Sequence, residues 1–295
     1  MQVLAIFGPT AVGKTGVAVA VADRLRARGE DPVAVSCDAL QVYRGLELLT
    51  AAPSPAERAA LEHRLVAVAG IEEEFSAGRF AALARSEIDG LLESGRRPIV
   101  VGGTGLYLRA ALAELNLRPP VPADIRQEVE DEIAERGSAV LHEELEPELR
   151  AEVHPNDRKR IARAVELQRA GLAPPPPGGG ELWTARLRHP TVLVGLTMDR
   201  DALDGRIDER AAAIAASGAA EEARRADAAG ASRTARAAIG FDELLAGDLD
   251  AYASAQRRFA RRQLTWMRKM AGIRLADRTD RSDEDVAAEI VALLD

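Results

Sequence analysis

The sequence predicts an α/β protein: a P-loop-type parallel sheet core with an all-helical insertion domain and a helical C-terminal region. Three observations predict it. An apolar run from Val3 to Phe7 leads directly into Gly8-Pro9-Thr10-Ala11-Val12-Gly13-Lys14-Thr15, and an apolar-periodic stretch from Val17 to Leu25 follows. That is the strand, loop, helix order in which a GxxxxGK[ST] motif has a physical meaning. Four further apolar runs of strand length alternate with helical patterns, as parallel strands joined by right-handed crossovers do. Between 116 and 189 only helical patterns occur, so the core is read as 1–115 and 190–295, interrupted by the insertion.

The loop fixes the first piece of chemistry. Gly8 and Gly13 let the backbone bend so that successive N–H groups converge on an anion, at a helix N-terminus whose dipole already favours negative charge. Gly8, Thr10, Ala11, Val12, Gly13, Lys14 and Thr15 are the candidate phosphate-binding residues, Lys14 as a point charge and Thr15 as a hydroxyl for a divalent cation. Lysine occurs only at 14, 159 and 269, while arginine is abundant. A forked guanidinium would not serve as the compact charge this loop uses. The motif recognises a diphosphate without saying what is attached to it.

Composition narrows the class. Hydrophobic residues make up 47% of the 295, ample for a core. No apolar run approaches the roughly 20 residues that span a membrane, and no signal-like leader opens the chain, so a cytoplasmic protein is expected. Cys37 is the single cysteine, and His63, His142, His154 and His189 lack metal-ligand spacing, which argues against a structural zinc site. A net charge of −8 argues against a general nucleic-acid-binding field, although charge can be concentrated locally.

Taken in order, Pro32 to Ser36 reads as a second strand that delivers Cys37 and Asp38 to the sheet edge where ligands bind. Asp38 is expected beside the phosphate loop; a helix N-cap or a solvated turn would use the same residue type. Cys37 reads as a small buried residue. Ser54-Pro55-Ala56-Glu57 has the form of a capping box opening a short helix. Arg64 to Ala69 is expected as the third strand, Ser76 opens a helix with Phe80, Leu83, Ile88 and Leu91 on its apolar face, and Arg97 to Val101 is the fourth strand. That strand ends in Gly102-Gly103-Thr104-Gly105-Leu106-Tyr107, where a nucleoside triphosphatase commonly carries an acidic residue. Glycines there suggest close approach of a ligand backbone.

Asn116 to Pro122 and Ala173 to Gly180, rich in proline and glycine, bracket helical patterns at Pro122 to Arg136 and Asn156 to Ala170. Thr191 to Met198 is the fifth strand, and the remainder reads as helical. Arg206 and Arg210, four apart, share a helix face. They could clamp a diphosphate, and the spacing serves equally for pairs with Asp204, Asp208 or Glu209 on their own helix. From Gln256 to Arg274 there are seven basic residues and no acidic one. Phe259, Trp266, Met270 and Ile273 fall on one face; Arg257, Arg258, Arg261, Arg262, Arg268 and Lys269 fall on the other. A merely solvated face normally mixes signs, so this stripe points to a nucleic-acid backbone.

In their order these residues resemble the tRNA dimethylallyltransferase (tRNA isopentenyltransferase) family. The resemblance runs over nearly the whole chain: GPTAVGKT, D-x-x-Q-V-Y-R-G from Asp38 to Gly45, T-A-x-P from Thr50 to Pro53, Phe75-Ser76 with Phe80, GGTGLY from Gly102, HPNDRKRI from His154, AIGFDEL from Ala238 and RRQLTWMRK from Arg261. It implies a phosphate loop that holds dimethylallyl diphosphate and transfer of the five-carbon group to the exocyclic amine of adenosine 37 in tRNA, just 3′ of the anticodon. Asp38 is then the general base, Thr104 a second contact to the reacting groups, Arg210 a catalytic diphosphate ligand with Arg206 beside it, and Mg²⁺ sits near Thr15. Gln41, Tyr43, Arg158, Gln256, Arg257, Arg261, Arg262 and Gln263 are implied tRNA contacts. The helical insertion is implied to bind the anticodon arm, with the target base taken out of its stack. A monomer is the simplest expectation.

Some positions depart from the family pattern. Ala39 stands where serine is usual and Leu40 where arginine or methionine is common. Leu49 and Ala52 replace a glycine and a lysine, and the usual paired histidines appear as His63-Arg64. Three other functions share parts of the pattern: a P-loop small-molecule kinase, a transferase that prenylates free adenine nucleotides, and a non-catalytic tRNA-binding descendant. The first has no use for the basic helix, the second none for the insertion, and the third would bind tRNA without turnover.

Overall fold

The computed structural model describes residues 1–115, 117, 120–172 and 181–295. The chain divides into two compact units, one of Met1–Leu115 with Gly180–Asp295 and one of Asn116–Gly179. The Pro174–Pro177 run with its following glycines lies outside the described residues, as do Asn116, Arg118 and Pro119.

Runs of β-branched and other apolar residues form strands when both faces can be covered. β1 (Val3–Phe7) and β2 (Pro32–Ser36) are wholly buried, and β3 (His63–Arg64) is only two residues long. β4 (Arg97–Gly102), β5 (Thr191–Thr197) and β6 (Arg274–Asp277) complete a six-stranded sheet ordered β3-β2-β4-β1-β5-β6, with every neighbouring pair parallel. All C-terminal strand ends therefore face one edge. The helices around the sheet are α1 (Lys14–Ala27), α2 (Pro55–Ala60), α3 (Ala77–Glu93) and α4 (Gly105–Leu112). The insertion contributes α5 (Ala123–Arg136), α6 (Ser138–Glu143), α7 (Pro147–Glu152) and α8 (Arg158–Arg169). After β5 come α9 (Arg200–Ala216), α10 (Ala219–Ala228), α11 (Arg233–Arg236), α12 (Phe241–Leu245), α13 (Leu249–Lys269) and, beyond β6, α14 (Asp283–Ala292).

Local signals act as read. Ser54 caps α2 by accepting the Glu57 N–H while the Glu57 carboxylate accepts the Ser54 N–H. Ser76 caps α3 through the Arg79 N–H. On α3 the residues Phe80, Ile88 and Leu91 are buried, but Leu83 is exposed. The insertion closes its own core from Val129, Ile133, Leu141, Leu149, Ile161 and Val165.

Three expectations are corrected. The third strand ends at Arg64 instead of running to Ala69: Leu65 and Ala67 take left-handed φ of 61° and 54°. The segment then turns to the loop after β2, where Ala67 and Ala69 donate to the carbonyls of Gln41 and Val42, both at 2.8 Å. Second, the C-terminal region is not all helix. α13 stops at Lys269, Gly272 takes φ 74°, and β6 pairs with β5. Ile273 thus lies beyond the helix whose apolar face it was assigned to. Third, residues 181–189 belong with the core unit. Arg188 donates its N–H to Leu112 O at 2.9 Å and its guanidinium to Asp89 at 2.8 Å, and Trp183 lies 4.8 Å from Trp266, centre to centre.

Candidate active site

β1 ends at the phosphate loop, β2 at Cys37 and Asp38, and β4 at the glycine-threonine turn before α4. Because the strands are parallel, these three converge at the edge where open α/β sheets bind ligands. A cavity of about 420 Å³ opens there, lined by Lys14, Thr15, Asp38, Gln41, Arg206 and Arg210 among others. The carboxylate and the anion cradle share it.

The loop owes its shape to Gly13, φ 99°, and to Ala11, which also enters the left-handed region at φ 64°. Lys14 Nζ donates back to the carbonyls of Gly8 (3.0 Å) and Pro9 (2.7 Å), bracing the loop from inside. Burial, and then the nearby Arg210 guanidinium, lower the Lys14 pKa to about 8, with Asp38 opposing the fall. Arg206 Nε donates to Ala11 O at 3.0 Å and Arg210 Nη2 lies 3.5 Å from Ala51 O. Burial also lowers the pKa of Arg210, and Asp38 is among the groups resisting this. The spacing left two readings of these arginines equal. Both face the cavity, while Asp204 pairs with Arg200 at 3.9 Å and Asp208 with Arg257.

Asp38 is oriented by the backbone: its Oδ1 accepts the N–H groups of Leu40 (2.9 Å) and Gln41 (3.4 Å). Among the described residues no hydrogen bond goes to Oδ2. Thr104 Oγ1 accepts the Ala39 N–H at 3.3 Å, which ties the turn after β4 to the residue beside Asp38. The glycines of that turn serve the protein's own packing, and Gly102 also lines the cavity. A methyl group on Gly102 would meet the Cys37 backbone, one on Gly103 the Gln263 amide, and one on Gly105 the Trp266 indole. Cys37 is buried, as read.

The implied tRNA contacts separate into two sets. Arg261 and Arg262 are exposed on α13, and Arg158 is exposed at the start of α8, 3.2 Å from Glu130. The rest hydrogen-bond or pair with other residues of the chain. Tyr43 is 1% exposed, with its hydroxyl 2.5 Å from Thr234 Oγ1. Gln41 Nε2 donates to Thr50 O and Ala51 O at 3.4 and 3.2 Å. Arg257 is held by Asp208, Gln256 donates to the Tyr252 hydroxyl at 3.2 Å, and Gln263 is 3% exposed. Tyr43 and Gln263 are thus buried in the folded protein, Gln263 against the cavity wall, while Arg257 stays partly exposed in a surface ion pair. Each has found a neighbour that helical or loop spacing does not reveal.

Two groups went unread in the sequence. Asp283, paired with Arg278 at 2.9 Å, lies against Gly16 at the mouth of the cavity. It arrives there because β6 exists, and four residues of Arg-Leu-Ala-Asp gave no strand signal. Glu222 of α10 is 5% exposed and accepts the N–H groups of Leu48 (3.1 Å) and Leu49 (2.7 Å), pinning the loop whose next carbonyls hold Gln41 and Arg210. An isolated acid on a helix carries no such information.

The sequence model of the family described as IPP transferase matches residues 41–270. A tRNA dimethylallyltransferase of Anaeromyxobacter sp. (strain Fw109-5) is 41% identical over 289 residues, covering 92% of this chain and 93% of that protein. The crystal structure of the full-length tRNA isopentenylpyrophosphate transferase from Bacillus halodurans matches with a TM-score of 0.71 at 32% identity, covering 99% of this chain and 95% of that one. A eukaryotic dimethylallyltransferase, described as acting on tRNA, shares the fold with a TM-score of 0.77 at 22% identity, covering 99% of this chain and 77% of its own.

Proposed function

Since the chain belongs to the tRNA dimethylallyltransferase family, we propose that its cavity transfers the dimethylallyl group of dimethylallyl diphosphate to the exocyclic N6 amine of adenosine 37 in tRNA. One observation carries the reading: Asp38 and Lys14 line the same cavity, a proton acceptor opposite an anion cradle. In the step, the carbon–oxygen bond between the prenyl group and diphosphate breaks and a carbon–nitrogen bond to N6 forms. The N6 proton passes to Asp38, and diphosphate leaves with its extra negative charge. An aromatic amine is a weak nucleophile, and general bases typically contribute about 10²–10⁴-fold. Lys14, Arg206, Arg210 and the loop N–H groups stabilise the departing charge from fixed positions. Thr104, held at the residue next to Asp38, is suited to orient the amine.

Mg²⁺ fits this donor set. Thr15 places a single hydroxyl at the N-terminus of α1, on the cavity wall. That suits a cation that arrives with phosphate oxygens and keeps its waters. Thr15 would hold it, and it would supply further charge neutralisation on the diphosphate. The exposed arginines of α13 supply the charge for an RNA backbone, and the helical insertion is assigned to the anticodon arm. No helix among the described residues is long and apolar enough to cross a membrane. A monomer acting on cytoplasmic tRNA is the simplest form of this reading.

Labelled dimethylallyl diphosphate with magnesium and either unmodified tRNA or AMP, followed by digestion, tests it. Label is expected in the adenosine 3′ of the anticodon. Label in AMP alone would favour a free-nucleotide prenyltransferase, and none in either would end the transfer reading. Asp38→Ala should lower transfer by about 10²-fold or more while tRNA still binds; turnover at the parental rate would overturn the role of Asp38.

A further inference from the structure

Gln263 sits on the buried face of α13, between two loops that both belong to the cavity. Its Oε1 accepts the Thr10 N–H at 2.7 Å, and its Nε2 donates to Gly103 O at 2.9 Å. A carboxamide can accept at one end and donate at the other, so one side chain satisfies a loop donor and a turn acceptor together. Glycine at 103 is what lets the amide reach: a methyl there would occupy the place of Nε2. One helical turn on, the Trp266 indole lies on Gly105. Between those two glycines stands Thr104, bonded to Ala39 beside Asp38.

We propose that Gln263 is a positioning residue that sets the separation between the anion cradle and the Asp38–Thr104 side of the cavity, and that the Thr10 N–H belongs to this clamp and not to the cradle. The kinetic part rests on the prenyl-transfer reading above. Arg206 braces the phosphate loop and Thr104 ties the turn to Ala39, but among the described residues Gln263 is the one side chain hydrogen-bonded to both loops. A displacement of about 1 Å between groups that must react can cost about 10²-fold in rate. Fixing both loops to one rigid helix removes that freedom. The notion of a general packing role makes a different forecast, namely a loss of stability with the turnover of the folded protein unchanged.

Two variants separate these. Gln263→Met keeps the length and removes both hydrogen bonds; Gln263→Glu keeps the acceptor for Thr10 and loses the donor for Gly103. Steady-state transfer to tRNA, tRNA affinity and thermal unfolding are measured for both beside the parent. Gln263→Met is expected to lose about tenfold or more in kcat, the size of a buried hydrogen-bond pair, with tRNA affinity within about twofold of the parent. Gln263→Glu is expected to raise KM for dimethylallyl diphosphate as well, because it adds a negative charge beside the diphosphate. Folded variants that melt earlier but turn over at the parental kcat would overturn the proposal.

A second measurement needs no variant. In the ligand-free parent protein the Thr10 amide should resist hydrogen exchange, and adding inorganic pyrophosphate should change its protection by less than about twofold, since its bond to Gln263 is already made. A Thr10 amide that exchanges freely until pyrophosphate is added would place it in the cradle and overturn the clamp. If the parent transfers no prenyl group at all, the functional reading fails, and the exchange measurement still decides the clamp.

Discussion

Replacing Glu222 by alanine should destabilise the protein by about 2 kcal/mol and lower transfer as well. The magnitude follows from the two N–H groups that its carboxylate serves. Leu49 is 2% exposed, so its N–H would be left buried without a partner, at about 1–3 kcal/mol. The Leu48 N–H lies nearer the surface and recovers part of its loss from water. Removing a buried carboxylate relieves some desolvation, which offsets part of the sum. Glu222→Gln should recover about half, since one oxygen remains for Leu49 while the NH₂ end faces the Leu48 N–H. The pH dependence has a definite sign. Burial pushes the Glu222 carboxyl up, against the pull of the two N–H groups. The native state therefore holds its proton to higher pH than the unfolded chain does. The proton-linked part of this stability is fully present below the unfolded value of 4.5 and is lost as pH rises through the raised native value, leaving the hydrogen bonds of the ionised carboxylate. Glutamine does not titrate, so the stability advantage of the parent over Glu222→Gln should widen as pH falls from 7 to 5. Urea unfolding of the three proteins at both pH values measures it. An alanine variant within about 0.5 kcal/mol of the parent, or a gap that narrows on acidification, would refute the reasoning.

Other outcomes follow from the same geometry. Lys14→Met should lower kcat by about 10²–10³-fold, because the charge facing the leaving diphosphate is lost while the loop keeps its backbone donors; single-turnover transfer with saturating tRNA measures it. Arg261→Ala with Arg262→Ala should weaken tRNA binding and reduce the slope of log affinity against log salt by about 2, read by filter binding across a salt series.

Much of the core was legible because its strands are buried on both faces and so read as continuous apolar runs. Val3–Phe7 and Pro32–Ser36 run between the same residues in sequence and structure. Edge strands carry less pattern. In β6 only Ala276 of four residues is buried, and Leu275 is 61% exposed, so neither alternation nor an apolar run marked it. Placing Asp38 beside the phosphate loop needed only strand direction and the edge rule. Assigning Gln263 and Glu222 needed knowledge of which backbone groups lie opposite them, more than 150 residues away in the chain. Helical periodicity placed Arg206 and Arg210 on one face but could not say which element that face meets.

The departures around Asp38 are absorbed by the backbone. Ala39 lacks the hydroxyl usual in the family, yet the orientation of Asp38 comes from the N–H groups of Leu40 and Gln41, which no side-chain exchange at 39 or 40 removes. Thr104 reaches the same place from the facing turn, through the N–H of Ala39. Leu49, standing where a glycine is usual, adopts no left-handed φ, and its side chain is buried, so the exchange adds apolar contact without backbone strain. Ala52 differs in kind. It lines the cavity with a methyl group where a lysine would bring charge. In the proposed reaction the cationic grip at this edge falls to Lys14, Arg206 and Arg210, all fixed by burial or by hydrogen bonds to loop carbonyls. Charges held in this way need little reorganisation as negative charge develops on a leaving group, so in the proposed reaction the bond-breaking step does not depend on a further cation at 52.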